Sequence, residues 1–190
     1  IKNNIIFVEE LGMNHNGNFG LFFELIKQAA LSGADIAKFQ LGWRFKPGEI
    51  NNITEKELDL IFKCCEYHSI EPMFSVMTKD ALDMLVNRNL RYFKIASRTV
   101  KDNPNLVNQV LKLDKTTFIS LGMNDLNERP FGKSEKIKYL WCKSNYPTYP
   151  WDIKNFPKDF TSNEFFGYSD HCVGIDMALL SISRGAQLVE

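Results

Sequence analysis

Neither sign of charge prevails in this chain. Lys plus Arg and Asp plus Glu both number 23 among 190 residues, so there is no basic face to hold nucleic acid or anionic lipid. The expected partner is a small molecule. Cysteine is scarce: Cys64, Cys65, Cys142 and Cys172 show neither paired metal-ligand spacing nor the density of a disulfide-stapled secreted scaffold, so reduced thiols in a cytoplasm are expected. Apolar runs of membrane-spanning length are missing, as is the pattern of a signal peptide. The glycine-rich phosphate turn that open nucleotide-binding sheets commonly carry is missing too. The chain begins at Ile1 rather than Met and stops inside the run Leu188-Val189-Glu190, which reads as a fragment or a truncated chain.

What is present is a hydrophobic content of 44%, enough for a substantial core, and one domain over 1–190 is the expectation. Tyr92-Phe93-Lys94-Ile95-Ala96-Ser97 is apolar as a strand buried on both faces requires, yet a Lys interrupts it and a Ser closes it. Ile36-Ala37-Lys38-Phe39-Gln40 repeats that phrase. A buried ammonium is costly unless an anion meets it. Either lysine alone reads as structural; the repetition favours one shared anion.

The pass along the chain alternates strand and helix. Ile5–Val8 predicts a strand, followed by Glu9, Glu10 and the turn-forming Gly12-Met13-Asn14-His15-Asn16-Gly17. Phe19–Leu31 carries apolar residues at helical spacing and stops at Ser32-Gly33; Ala34–Phe39 is the next strand, with a loop through Trp43 and Pro47 after it. Thr54 and Glu57 fit a capping box that opens a helix to His68. Ile70–Val76 and the run ending at Ser97 are strands, with Lys79–Arg88 a helix between them and Pro104–Leu113 a helix after them. Thr116–Leu121, Ile137–Cys142, Phe165–Tyr168 and Gln187–Glu190 complete the strands, with a helix over Gly174–Arg184. Pro130 and Gly132 predict an irregular segment over 124–136 where another helix would otherwise stand.

Eight strand candidates whose ends recur at intervals of roughly 20 to 36 residues predict a (β/α)8 TIM barrel. In such a barrel the C-terminal strand ends gather at one mouth. Here they would bring Glu10, Lys38, Gln40, Ser75, Lys94, Ser97, Ser120, Ser144, Tyr146, Ser169, Asp170 and His171. Two ammonium groups among hydroxyls suit a phosphate or carboxylate. Alternation sends Glu9 and Glu10 to opposite faces, so one of them looks inward, where a carboxylate can act as base or orient a water. His171 reads as metal ligand, general base or satisfied buried histidine; His15 reads equally as part of a turn.

Glu10-Leu11-Gly12-Met13-Asn14-His15-Asn16-Gly17, Gly33-Ala34-Asp35 leading to Lys38-Phe39-Gln40, Lys94-Ile95-Ala96-Ser97, Ser120-Leu121-Gly122-Met123, Tyr146-Pro147-Thr148 and Gly167-Tyr168-Ser169-Asp170-His171 fall in one order. Together they resemble the successive signatures of the N-acetylneuraminate (sialic acid) synthase family, which includes legionaminate and pseudaminate synthases. The resemblance implies a TIM barrel that condenses phosphoenolpyruvate with an N-acyl amino sugar such as N-acetylmannosamine, giving a nine-carbon 2-keto sugar acid and phosphate. It also implies a divalent metal, Mn2+ or Mg2+, that polarises the sugar's aldehyde, and a homodimer when full length. By position it implies that Lys38, Ser75, Lys94, Ser97, Ser120, Ser144 and Ser169 hold phosphoenolpyruvate. Gln40 and Tyr146 would lie near the sugar, Glu10 beside the reacting carbons, and His171 would be one of two metal-binding histidines.

Three departures accompany it. The second metal histidine belongs to a Lys-His-Phe motif just after the last strand, and the chain stops at Glu190. Thr99 stands where the family usually has Glu, and the small C-terminal antifreeze-like domain is absent. Two other readings remain at this point: a Schiff-base aldolase using Lys94 or Lys38, and a barrel that binds a phosphorylated ligand without turnover.

Overall fold

The computed structural model describes residues 5–43, 46, 48–162 and 164–190; Pro47, expected in a loop, lies outside them. Eight parallel strands close a barrel in chain order: β1 (Ile6–Gly12), β2 (Ile36–Leu41), β3 (Glu71–Val76), β4 (Tyr92–Ile95), β5 (Thr116–Ser120), β6 (Ile137–Cys142), β7 (Gly167–Ser169) and β8 (Leu188–Val189). The predicted (β/α)8 class is what the chain adopts. Six α-helices accompany the strands among the described residues: α1 (Phe19–Leu31), α2 (Glu55–Tyr67), α3 (Lys79–Leu85), α4 (Ser97–Asp102), α5 (Pro104–Leu111) and α6 (Asp176–Ser183).

The backbone divides into two compact units, Phe7–Lys94 and Ile95–Glu190, the latter with the residues up to Ile6. In the first, α1 is capped by Asn18, whose side chain accepts from the Leu21 N–H, and α2 by the Thr54/Glu57 capping box read from the sequence. Their apolar faces meet the sheet through rings. Phe22 of α1 lies 5.2 Å from Phe39, Phe39 lies 5.1 Å from Phe74, and Phe74 lies 5.7 Å from Phe62 of α2. Phe22, Phe39 and Phe74 are fully buried, each side chain contributing about 1.5–3 kcal/mol by leaving water. Because those rings mark the helix-facing side of β2 and β3, the residues that alternate with them look the other way, into the barrel.

In the second unit the sheet's outer face is marked by Trp141 and Tyr168, which pack on Phe156 of the β6–β7 connection at 5.0 Å each. The predicted irregular segment follows β5, and Arg129 holds it. Its guanidinium donates to the Leu126, Glu128 and Glu164 carbonyls and to Glu164 Oε2 while lying over the Phe165 ring. With Tyr139 Oη donating to the Gly132 carbonyl, these bonds replace the ladder a helix would have supplied.

Several boundaries differ from expectation: β1, predicted over Ile5–Val8, runs from Ile6 to Gly12 and takes in Glu9 and Glu10, and α3, predicted to reach Arg88, ends at Leu85. The strand predicted through Ser97 ends at Ile95, and Ser97 opens the six-residue helix α4. Asn103 then ends α4 and caps α5, its side chain accepting from Leu106 N–H, at the start of the helix expected from Pro104.

Candidate active site

In the first unit, Glu10 of β1 is paired with Lys38 of β2, Gln40 with Ser75 of β3, and Ser75 with Lys94 of β4. Paired residues in parallel strands share a face, and Lys38 and Gln40 are two apart. Hence all five point to the side opposite Phe39 and Phe74. Both lysines are buried to 3% exposure, and Ser75 to 1%. Lys94 stands two strands from Lys38 and two residues further along, roughly 10 Å across and 7 Å up at the backbone by standard sheet spacings. Flexible four-carbon stems can close that gap on one small polyanion.

Lys38 Nζ forms an ion pair with the Glu10 carboxylate, and Gln40 Nε2 donates to Glu10 Oε1 at 3.4 Å. The pairing answers the alternation question in favour of Glu10. A register shift between Glu10 and Gly12 marks the end of β1, and Gly12 takes a left-handed φ of 54°. A Cβ on Gly12 would stand 2.7 Å from Glu10 Oε1, so glycine makes room for the carboxylate to fold back onto Lys38.

His15 proves to be the buried member of the turn after β1. Its Nδ1 accepts the Gly17 N–H at 3.2 Å, and its ring packs 4.5 Å from Phe22 and 5.2 Å from Phe19. Burial lowers its pKa below the ordinary 6.5, with the Glu57 charge pulling the other way. The folded ring therefore stays neutral where the unfolded chain already binds a proton, so its contribution is full above 6.5 and declines as pH falls toward the lower folded value. We predict that between pH 7 and pH 5 the wild-type thermal midpoint falls more than that of His15→Gln. Parallel curves for the two proteins would refute it.

In the second unit, Ser169 of β7 is paired with Cys142 of β6, and Ser120 of β5 with Leu140. These residues alternate with Trp141 and Tyr168, so Ser120, Cys142 and Ser169 face inward, all three buried. Among the described residues Ser120 Oγ has no hydrogen-bond partner, which suits a hydroxyl meant for a ligand. Ser97 Oγ accepts the Gly122 N–H at 2.8 Å, and Ser144 Oγ lies 3.6 Å from Cys142 Sγ.

The run Gly167-Tyr168-Ser169-Asp170-His171 works as a bracket. Tyr168 Oη donates to Asp170 Oδ1 at 2.7 Å, and the same oxygen accepts the Cys172 N–H at 2.7 Å. Asp170 is thus spent on the turn that presents His171. The imidazole has Nδ1 2.9 Å from the Lys143 carbonyl, which fixes the proton there, and Nε2 2.9 Å from Tyr146 Oη. Burial lowers the His171 pKa, but Cys142, the Lys143 carbonyl and the Glu190 charge outweigh it and leave the group above its ordinary value. The Tyr146 hydroxyl, tucked against the imidazole although the ring is largely exposed, is pushed up to about 12 by burial and by Cys142 and Glu190. It therefore stays protonated and donates to His171.

Sequence reasoning missed three participants. Tyr168 pairs with Val189, which sets Glu190 beside Ser169 on the inner face; the strand-end rule applied to the other strands would have found it. The same rule would have found Cys142, the last residue of the strand predicted over Ile137–Cys142, while Gly122 stands in a quoted signature without a side chain to suggest its role. As for a metal, His171 has the second-shell carbonyl that fixes a ligating imidazole. Yet among the described residues no group of three or more His, Cys, Asp or Glu side chains is placed to hold an ion. His171 alone does not make a divalent-metal centre.

The sequence pattern of the NeuB family matches residues 49–190. The chain belongs to the NeuB family. An uncharacterized protein of Methanocaldococcus jannaschii, MJ1065, is 31% identical over 204 residues, covering 96% of this chain and 60% of that protein. The N,N'-diacetyllegionaminic acid synthase of Campylobacter jejuni is 28% identical over 225 residues, covering 97% of this chain and 66% of the enzyme. The crystal structure of the N-acetylneuraminic acid synthetase of Leptospira borgpetersenii, in complex with citrate, superposes with a TM-score of 0.82 at 25% identity, over 99% of this chain and 73% of that one. This NeuB-family chain thus spans 60 to 66% of the length of these two curated relatives. No helix among its described residues is long and apolar enough to cross a membrane.

Proposed function

We propose that the chain carries the barrel of a synthase that joins phosphoenolpyruvate to an N-acyl amino sugar, N-acetylmannosamine or a relative, to give a nine-carbon 2-keto sugar acid and phosphate. The observation that carries the reading is the placement of Lys38, Lys94 and Ser75, all buried, on one inward face beside Glu10. Such a face suits a small polyanion; the relatives' names are those of nine-carbon sugar-acid synthases, and the resemblance of the motifs supports phosphoenolpyruvate as the anion.

In this reaction C3 of phosphoenolpyruvate attacks the aldehyde carbon of the open-chain sugar, and the carbon–oxygen double bond becomes a hydroxyl. The cation left at C2 takes up water, and the tetrahedral adduct expels phosphate as the ketone forms. Lys38 and Lys94 neutralise phosphate and carboxylate through electrostatics. Glu10 is the counter-ion of Lys38 until the substrate's own anion arrives; released from that pair, its carboxylate is free to orient the water or take its proton. Ser97, Ser120, Ser144 and Ser169 are assigned as further donors to phosphoenolpyruvate, and Gln40 and Tyr146 to the sugar, from the order of their motifs. His171 is assigned as one metal ligand on the same ground, with Mn2+ or Mg2+ as the ion, which would polarise the sugar's aldehyde when bound. Full-length homodimerisation and a cytoplasmic location belong to the same proposal.

An imine-forming aldolase needs a neutral amine, whereas the Glu10 carboxylate favours the ammonium form of Lys38. Calorimetric titration of phosphoenolpyruvate into the chain, with and without Mn2+, tests binding, and phosphate release by a longer chain extended past Glu190 tests turnover. Saturable heat and sugar-dependent phosphate release are expected. A chain that takes up no phosphoenolpyruvate, or a borohydride-trapped adduct with pyruvate, would overturn the reading.

A further inference from the structure

We infer that Gly122 is a positioning residue for the serine donors of the second unit, orienting Ser97 with its N–H and making room for Ser144 by its missing side chain. The inference rests on the phosphoenolpyruvate reading above and names a residue that reading does not use.

Gly122 follows β5 in a turn closed by the Asn124 N–H on the Leu121 carbonyl, 2.8 Å. That turn grips Ser97 twice: the Gly122 N–H reaches Ser97 Oγ at 2.8 Å, and Asn124 Nδ2 reaches the Ser97 carbonyl at 3.1 Å. A hydroxyl that accepts from an amide keeps its own proton to give away, and the incoming bond polarises it. Ser97, only 5% exposed, is thereby set as a donor to an anion.

The other half of the argument is steric. Gly122 is not among the residues of left-handed φ, so its backbone would accept any side chain. What it lacks is space. A Cβ there would stand 2.5 Å from Ser144 Oγ, 2.8 Å from Cys142 Sγ and 3.0 Å from the Cys142 carbonyl oxygen. Cys142 Sγ is in turn 3.7 Å from His171 Nδ1, and Cys142 is paired with Ser169. Gly122 therefore meets Ser97 with its amide hydrogen and Ser144 on the side where a Cβ would stand, and two residues earlier is Ser120, whose Oγ has no partner among the described residues. Of the groups a methyl would meet, the Ser144 hydroxyl yields most cheaply, by turning about a single bond. The substitution should accordingly disturb the donors more than the fold.

The test titrates phosphoenolpyruvate calorimetrically into the 190-residue chain and into Gly122→Ala, Ser144→Gly, the double variant and Ser97→Ala, with a thermal midpoint for each. Gly122→Ala should bind at least tenfold more weakly while its midpoint moves by no more than about 4 °C. Ser97→Ala, which removes the partner of the Gly122 N–H without adding volume, should also lose at least tenfold. The double variant should lose less than the two single losses combined, because the methyl then has no hydroxyl to displace. Wild type that binds no phosphoenolpyruvate would bring down the reading and this inference with it. Wild type that binds while Gly122→Ala binds equally well, or losses that are strictly additive, would overturn the role of Gly122 alone. If Gly122→Ala does not fold, Ser97→Ala decides, and unchanged affinity there overturns the inference.

Discussion

Replacing Lys38 or Lys94 with methionine is expected to weaken phosphoenolpyruvate binding by more than tenfold, about 1.4 kcal/mol or more. Methionine keeps the length and apolar bulk of the stem, so packing on the inner face is largely preserved and the loss reports the ammonium. One unit charge about 4 Å from another is worth about 4 kcal/mol at an effective dielectric near 20, and desolvation of both partners takes back much of that. The two variants should not be equal. Lys38→Met leaves the Glu10 carboxylate without the cation it is paired with, so the substrate meets an added negative charge. Lys94→Met leaves the Glu10–Lys38 pair in place. The larger loss is expected at Lys38, with Glu10→Gln restoring part of it in the double variant. Calorimetric titration at two salt concentrations measures both effects; equal affinity in wild type and both single variants would remove the anion site from consideration.

The inner face of the first unit was legible because β2 and β3 keep an unbroken alternation. Phe39 and Lys38 cannot share a side, and a sequence reader who assigns the aromatic to the helices has thereby assigned the lysine to the interior. The helix limits of α1 were legible from its apolar spacing and from the stop at Ser32-Gly33; the structure adds Asn18 as the cap of its first turn. Short polar segments were not. Ser97-Arg98-Thr99-Val100-Lys101-Asp102 has no apolar stripe to betray a helix, and its fold comes from tertiary position, with Ser97, Thr99 and Val100 buried by neighbours far away in sequence.

The ambiguity at His15 had a different origin. Asn and Gly around it favour left-handed backbone, which the structure indeed uses at Asn16 and Gly17, but a turn of that kind can aim its histidine anywhere. Only the Phe19 and Phe22 rings decide that it points into the core. Gly122 was illegible for the converse reason: its backbone is ordinary, and the requirement for glycine is set by Ser144 and Cys142, residues some twenty positions away that nothing local announces.

Gly167→Ala is expected to cost about 3 kcal/mol, at the upper end of overpacking penalties, and to lower the thermal midpoint by roughly 6–12 °C for a chain of this size. Gly167 opens the three-residue strand β7, buried against Leu140 of β6, where there is no slack on either side. A Cβ at this position would overlap the Leu188 carbonyl oxygen and come within 2.9 Å of Leu188 C and Cβ. These are mostly backbone atoms of β8, so no side chain can swing aside to relieve the overlap. The segment cannot drift either, because Gln187 N–H bonds the Phe166 carbonyl at 2.9 Å and Glu190 N–H bonds the Tyr168 carbonyl at 3.0 Å. Gly33 supplies the control: its φ of 87° penalises alanine by about 1–2 kcal/mol, but among the described residues no atom lies within 4 Å of the added methyl. Gly167→Ala should therefore be the more damaging of the two despite its unremarkable backbone. A midpoint shift for Gly167→Ala no larger than that of Gly33→Ala would contradict the close approach of β7 to β8, and with it the register that sets Glu190 beside Ser169.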